Sequence, residues 1–203
     1  MIPTLFLDID DTLLSHTPLA RDFILDQYGL ELPQDFHSGY DLFGMVEAHL
    51  SPERKLLKYD FWAHYTDNFL LSRDPRYKHE PLPGATETVA ALSCKYDLWV
   101  VTARPCICKE VTEDTLDQFF PNCFQGIHFV WKREGGKHTE RPKRDFITEI
   151  GSGLALIDDN PEQIIAAQSA IEPVLFDPHD HHRNHPEIKV RVKSWSDIAD
   201  RFL

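Results

Sequence analysis

No stretch of this chain approaches the roughly 20 consecutive apolar residues that cross a bilayer. The opening Met1-Ile2-Pro3-Thr4 lacks a basic segment leading into an apolar one and a small-residue cleavage site, so a cytoplasmic protein is the expectation. No internal repeat and no low-complexity tract is present, which excludes solenoids and repetitive linkers. Cysteine is scarce: the four are Cys94, Cys106, Cys108 and Cys123. Cys106-x-Cys108 is tighter than a zinc knuckle and no second pair balances it, so reduced structural thiols are expected rather than a metal or redox site. Excess positive charge is missing too. The formal net charge is −12, which would repel a long phosphate backbone and argues against polynucleotide partners while leaving a small phosphorylated molecule open.

What is present is an ordinary globular composition, 42% hydrophobic and 27% charged, over 203 residues, enough for one α/β domain with an insertion. Strands are predicted at Thr4–Leu7, Asp97–Val101, Ile127–Val130, Leu154–Ile157 and Val174–Phe176. Helical patterns alternate with them, as in a parallel, helix-covered sheet. Leu98-Trp99-Val100-Val101 is continuously apolar, as suits a central strand buried on both faces. Asn160-Pro161 supplies a cap and a first-turn proline, and Ser194 can cap a last helix with Trp195, Ile198, Ala199 and Phe202 on one face.

Residues 16–80 break the alternation and read as all-helical. Thr17-Pro18 opens a helix carrying Ala20, Phe23, Ile24 and Tyr28, ended by Gly29. Ser51-Pro52-Glu53 opens another, with Leu57, Phe61, Tyr65 and Phe69 four apart. The expected organisation is a core of residues 1–15 and 81–203 with a helical insertion at 16–80.

Chemistry concentrates where strands end. Asp8-Ile9-Asp10-Asp11-Thr12 follows the apolar Leu5-Phe6-Leu7. In extended backbone Asp8 and Asp10 point the same way, and two such close carboxylates call for a cation or a shared proton. Leu98–Val101 runs into Thr102-Ala103-Arg104, and Leu154–Ile157 into Asp158-Asp159-Asn160. Ligands of open α/β sheets bind at the carboxyl ends of the strands, and three such ends coincide here. Oxygen-only donors suit Mg²⁺ better than zinc or copper. A carboxylate can attack phosphorus, a neighbour two residues on can move the proton, and a hydroxyl and a lysine can stabilise the transferred group.

This set of motifs resembles the haloacid dehalogenase-like hydrolases: Asp8-x-Asp10-x-Thr12, then Thr102, a lysine, and Asp158-Asp159. The resemblance implies a Rossmann-like α/β core with helices on both faces and an all-helical cap inserted after the first strand. It implies Asp8 as nucleophile, Asp10 as general acid/base, and Thr102 binding phosphoryl oxygens together with Ala103 and Arg104. Asp8, the backbone carbonyl of Asp10 and Asp158 would hold Mg²⁺, with Asp159 behind them. Lys143, just ahead of Asp145-Phe146-Ile147, is the preferred lysine for catalysis and substrate binding; Lys137 in the Glu134-Gly135-Gly136 loop is the alternative. Aspartate at position 10 favours phosphoryl hydrolysis over dehalogenation.

The expected activity is therefore Mg²⁺-dependent phosphomonoester hydrolysis of a small phosphorylated substrate through an aspartyl phosphate. A partial resemblance to the 5'(3')-deoxyribonucleotidase branch rests on Thr102-Ala103-Arg104, Asp158-Asp159-Asn160, Leu175-Phe176-Asp177 and Val192-Lys193-Ser194-Trp195. It points to a 5'-nucleotide, although Asp11, Thr12 and Asn160 depart from that branch. A sugar phosphate or another metabolite is the alternative substrate, and a non-catalytic phosphate-binding or regulatory protein the alternative class. The helical block would close over substrate, with Phe36, Tyr40, Phe43, Trp62 and Tyr65 forming either an aromatic shelf or simply core. His16, His37, His49 and His64 show no ligand pattern. His179-Asp180-His181-His182-Arg183-Asn184-His185 could bind a transition metal but is expected as an exposed flexible loop.

Overall fold

The computed structural model describes residues 2–37, 41–50, 56–134 and 137–203, with backbone alone at 132–134 and 137–139. Tyr40, the Ser51-Pro52-Glu53 start signal and Gly135-Gly136 lie outside the described residues, as does the Lys137 side chain. The chain divides into two compact units, residues 1–15 with 80–203, and residues 16–79.

The first unit is built on one sheet of seven strands: β1 (Thr4–Leu7), β2 (Asp97–Pro105), β3 (Gly126–Glu134), β4 (Lys137–Glu140), β5 (Gly153–Asp158), β6 (Glu172–Phe176) and β7 (Arg191–Val192). Their order across the sheet is β4-β3-β2-β1-β5-β6-β7. Every pairing is parallel except β3 with β4, which is antiparallel. β1 therefore lies between β2 and β5, and the three carboxyl ends that carry polar residues are adjacent. All five predicted strands are present. Two more formed where the sequence shows no strand signal: β4, whose Lys-His-Thr-Glu has no apolar face to bury, and β7, only two residues long.

Helices cover both faces: α4 (Ala85–Ser93), α5 (Lys109–Phe119), α6 (Lys143–Ile150), α7 (Pro161–Ala167) and α8 (Trp195–Phe202). Alternation along β1 divides the core in two. Leu5 and Leu7 face Leu98, Val100, Ala155 and Ile157 together with α4, α5 and α8. Phe6 faces the opposite way, packing with Val101, Leu156, Phe146, Ile147 and Ile164 from α6 and α7. The result is an α/β Rossmann-like core whose central strands are buried on both sides, as their unbroken apolar character requires.

The cap signals act where the sequence places them. Asn160 Oδ1 accepts from the Glu162 and Gln163 amides at 2.9 and 3.4 Å, with Pro161 in the first turn of α7. Ser194 and Asp197 form a reciprocal capping box on α8.

The second unit contains α1 (Thr17–Tyr28), α2 (Leu42–His49) and α3 (Lys58–Tyr65), the last widening into a π-type turn at Thr66–Leu70. No strand occurs among its described residues. Gly29 ends α1 at φ 68°, a left-handed conformation that glycine adopts without steric cost. Rings make its interior: Phe23 packs on Tyr65 and Phe69, with centroids 5.6 and 5.3 Å away, and Phe61 packs on Trp62 and Tyr65 at 4.9 and 6.0 Å. His16 and His79, where the chain enters and leaves this unit, are hydrogen-bonded Nδ1 to Nε2 at 3.0 Å, and His16 Nε2 bonds the Tyr65 hydroxyl at 2.9 Å.

Candidate active site

The site begins where β1 runs out. The Asp8 amide donates to Ile157 O at 3.0 Å, so residue 8 is still held against β5. The chain then turns sharply: the Leu13 and Leu14 amides return to Ile9 O, and the Asp11 amide donates to Leu14 O. Asp11 adopts φ 54°, the left-handed region that suits glycine and, less well, aspartate. From the far end of the chain the fully buried Trp195 donates its indole N–H to Thr12 O at 2.9 Å, fastening the turn to α8. The Thr12 side-chain hydroxyl is buried with no partner among the described residues.

Lys143, the first residue of α6, reaches into this corner. Its ammonium donates to Asp8 Oδ1 at 2.6 Å and to Asp158 Oδ2 at 2.7 Å, and the residue is 2% exposed. The other Asp158 oxygen accepts from the Asn160 amide at 2.9 Å, which fixes the carboxylate at the end of β5. Asp8 is 6% exposed, and burial pushes its carboxyl up to about 7 against the pull of Lys143, with the charges of Asp158 and Asp10 pushing the same way as burial. Burial alone would lower the Lys143 pKa, but the Asp158 and Asp8 carboxylates more than offset it and the ammonium is held above its ordinary value. Lys143 is thus the lysine bonded to both acids.

Asp8, Asp158 and Asp159 form a buried group whose carboxylate oxygens lie within 4.8 Å of one another. One ammonium does not balance three carboxylates, and all the donors are oxygen, so a hard divalent cation fits this set. Asp159 joins the other two directly, a convergence that its position one residue past Asp158 did not announce.

Asp10 is engaged elsewhere. Arg104, expected to bind substrate, forms a bidentate pair with the Asp10 carboxylate: Nε donates to Oδ2 at 2.9 Å and Nη2 to Oδ1 at 2.5 Å. Thr102 is fully buried, and its Oγ1 accepts from the Arg104 amide at 3.1 Å. Ala103, between them, is exposed and brings no functional group. No sequence signal links Arg104 to Asp10, because the two stand 94 residues apart.

The histidine segment after β6 is tied down rather than hanging free. Asp177 carboxylate oxygens accept from the His181 and His182 amides at 2.8 and 3.1 Å, and Arg191 donates to the carbonyls of His182 and His185. His182 is buried. The expected loop is there, with His179, Arg183 and Asn184 exposed, and His182 is its one buried residue; the Asp177 and Arg191 bonds supply partners for backbone that would otherwise need water. All four cysteines are free thiols, Cys108 and Cys123 buried, Cys106 half-buried and Cys94 exposed.

No family model matches the chain, and no curated protein does. Solved structures do. A haloacid dehalogenase-like family hydrolase from Streptococcus pneumoniae superposes with a TM-score of 0.69 at 15% identity, covering 100% of this chain and 99% of that one. The chain has the haloacid dehalogenase-like fold. CbbY from Rhodobacter sphaeroides, solved in complex with phosphate, gives 0.66 at 15% identity over 98% of this chain and 96% of its own. The hydrolase YfnB from Bacillus subtilis, solved bound to magnesium, gives 0.61 at 19% identity over 98% of each chain. No helix of the chain, among the described residues, is long and apolar enough to cross a membrane.

Proposed function

We propose that this protein is a Mg²⁺-dependent phosphomonoester hydrolase that works through an aspartyl phosphate on a small phosphorylated metabolite. The observation that carries the reading is the Lys143 ammonium bridging Asp8 and Asp158 at the carboxyl ends of adjacent parallel strands. Asp8, Asp158 and Asp159 would hold Mg²⁺, which when bound supplies charge neutralisation for the phosphoryl oxygens. The haloacid dehalogenase-like neighbours, one bound to magnesium and one to phosphate, support the same chemistry by fold.

In this mechanism an Asp8 carboxylate oxygen attacks phosphorus while the bond from phosphorus to the leaving oxygen breaks. Asp10 gives that oxygen a proton. Water then attacks the phosphorus of the acyl phosphate, Asp10 takes the water proton, and inorganic phosphate leaves with Asp8 regenerated. Lys143 holds Asp8 in place and offsets charge that builds on the transferred group. Thr102, whose hydroxyl oxygen accepts from the Arg104 amide, retains an O–H proton to donate to a phosphoryl oxygen.

The aromatic residues of the helical unit bear on the choice of substrate class. Phe36, Phe61 and Tyr65 are buried in its interior, so its aromatic content is mainly core; Trp62, 40% exposed, keeps part of its ring in solvent. That weakens the case for a stack of rings under a nucleobase and favours sugar phosphates as a second reading beside 5'-nucleotides. Phosphate release with Mg²⁺ across both panels, with wild type and Asp8→Asn, tests the proposal. Wild type should turn over at least one class and Asp8→Asn none, with an unchanged circular-dichroism spectrum. Substantial activity in Asp8→Asn removes the nucleophile; no turnover by wild type leaves a non-catalytic phosphate-binding or regulatory protein.

A further inference from the structure

We propose that Arg104 is a positioning residue for Asp10: its guanidinium fixes the carboxylate that moves the proton, rather than binding substrate. The inference rests on the phosphomonoesterase reading of this site. Both Asp10 oxygens are taken. Oδ1 accepts from Nε at 3.2 Å and from Nη2 at 2.5 Å, and Oδ2 accepts from Nε at 2.9 Å. Two contacts from one planar fork fix a carboxylate's orientation as well as its distance, which a single point charge does not.

Burial gives the pair a direction. The Arg104 side chain is 4% exposed, the Asp10 side chain 24%. Arg104 therefore stands behind Asp10, and Asp10 is the partner that reaches solvent. An arginine that gripped a phosphate would present its donors outward.

The backbone on both sides is shaped to this contact. The Thr102 hydroxyl holds the Arg104 amide, and β2 shifts register against β3 between Thr102 and Pro105, lifting Arg104 out of the regular ladder. On the other side Asp10 precedes the left-handed Asp11 that turns the chain away from β1. The guanidinium stays charged: burial alone would lower its pKa, but the Asp10 carboxylate, with Asp8 adding to it, raises it.

A double-mutant cycle tests the assignment. Arg104→Lys keeps the charge and loses the fork; Arg104→Met, a second variant, removes both. Each is made in wild type and in Asp10→Asn, with thermal melts confirming folding. Displacement of a reacting group by about 1 Å costs on the order of 100-fold. For Arg104→Lys in the wild-type background we therefore expect kcat to fall roughly 10- to 100-fold with KM little changed. In the Asp10→Asn background the same change should leave the residual rate unaltered, because the residue through which Arg104 acts is already disabled. A raised KM at unchanged kcat makes Arg104 a substrate ligand and overturns the proposal. Equal losses in both backgrounds overturn it as well. Absence of wild-type turnover of every phosphomonoester is a separate result: it removes the proposed reaction and the positioning role together.

Discussion

Lys143 and Asp8 stand 135 residues apart in the chain, and 2.6 Å separates the ammonium nitrogen from a carboxylate oxygen. The same nitrogen bonds Asp158, so one buried cation sits against two buried acids, with Asp159 close by. This is a site with surplus negative charge that water does not screen.

Removing the cation should expose that surplus. Lys143→Met leaves Asp8 and Asp158 buried without their partner, and breaking a buried pair in this way costs about 3 kcal/mol or more. The variant should melt well below wild type in EDTA and recover part of the loss with Mg²⁺, because a divalent ion then answers both carboxylates. Calorimetry with and without Mg²⁺ checks this. A variant that melts with wild type in EDTA shows that the bridge contributes nothing to the fold.

Thr12 offers the opposite case. Its hydroxyl is buried and unpartnered among the described residues, and an unmet buried hydroxyl costs about 1–3 kcal/mol. Thr12→Val replaces it with a methyl of similar shape and should raise the melting temperature by a few degrees, about 1 kcal/mol. A lowered melting temperature would mean that the hydroxyl has a partner worth more than its desolvation.

The α8 capping box carries a pH signature. Asp197 accepts from the Lys193 and Ser194 amides at 2.7 and 3.1 Å, and these bonds, the Lys193 amide first, hold its carboxyl below the usual 3.8. A depressed folded-state pKa contributes stability above the unfolded value, and that contribution is lost as pH falls through the folded one. The loss therefore lies in the acid limb below about pH 4. Asp197→Asn should flatten that part of the stability profile and leave the neutral region free of new pH dependence. Ser194→Ala should cost about 1 kcal/mol at every pH. Denaturant melts from pH 2.5 to 7 separate the two; an unchanged acid limb in Asp197→Asn rules out the carboxylate as its source.

Much of the core was legible because its rules are local. β1, β2, β3, β5 and β6 announce themselves as short apolar runs, and Asn160-Pro161 and Ser194 mark helix starts whose capping bonds span only two or three residues. The histidine segment reads as a loop and is one, but the burial of His182 was not legible, because the bonds that hold the segment come from Asp177 and Arg191 on either side of it. β4 and β7 were silent for a different reason: one is a polar edge strand, the other lies beside β6 for only two residues.

The sequence by itself determined that carboxylates would stand at the ends of buried strands, since strand burial and strand-end polarity are properties of neighbouring residues; that these strands are adjacent was decided by the sheet order. Only the tertiary structure decided what each one touches. Lys143 joins Asp8 to Asp158, Arg104 takes Asp10, and Trp195 fastens Thr12. Each of these contacts depends on strands and the helices packed on them bringing distant chain segments to the carboxyl end of the sheet, and no spacing along the chain encodes a hydrogen bond between residues that meet only there.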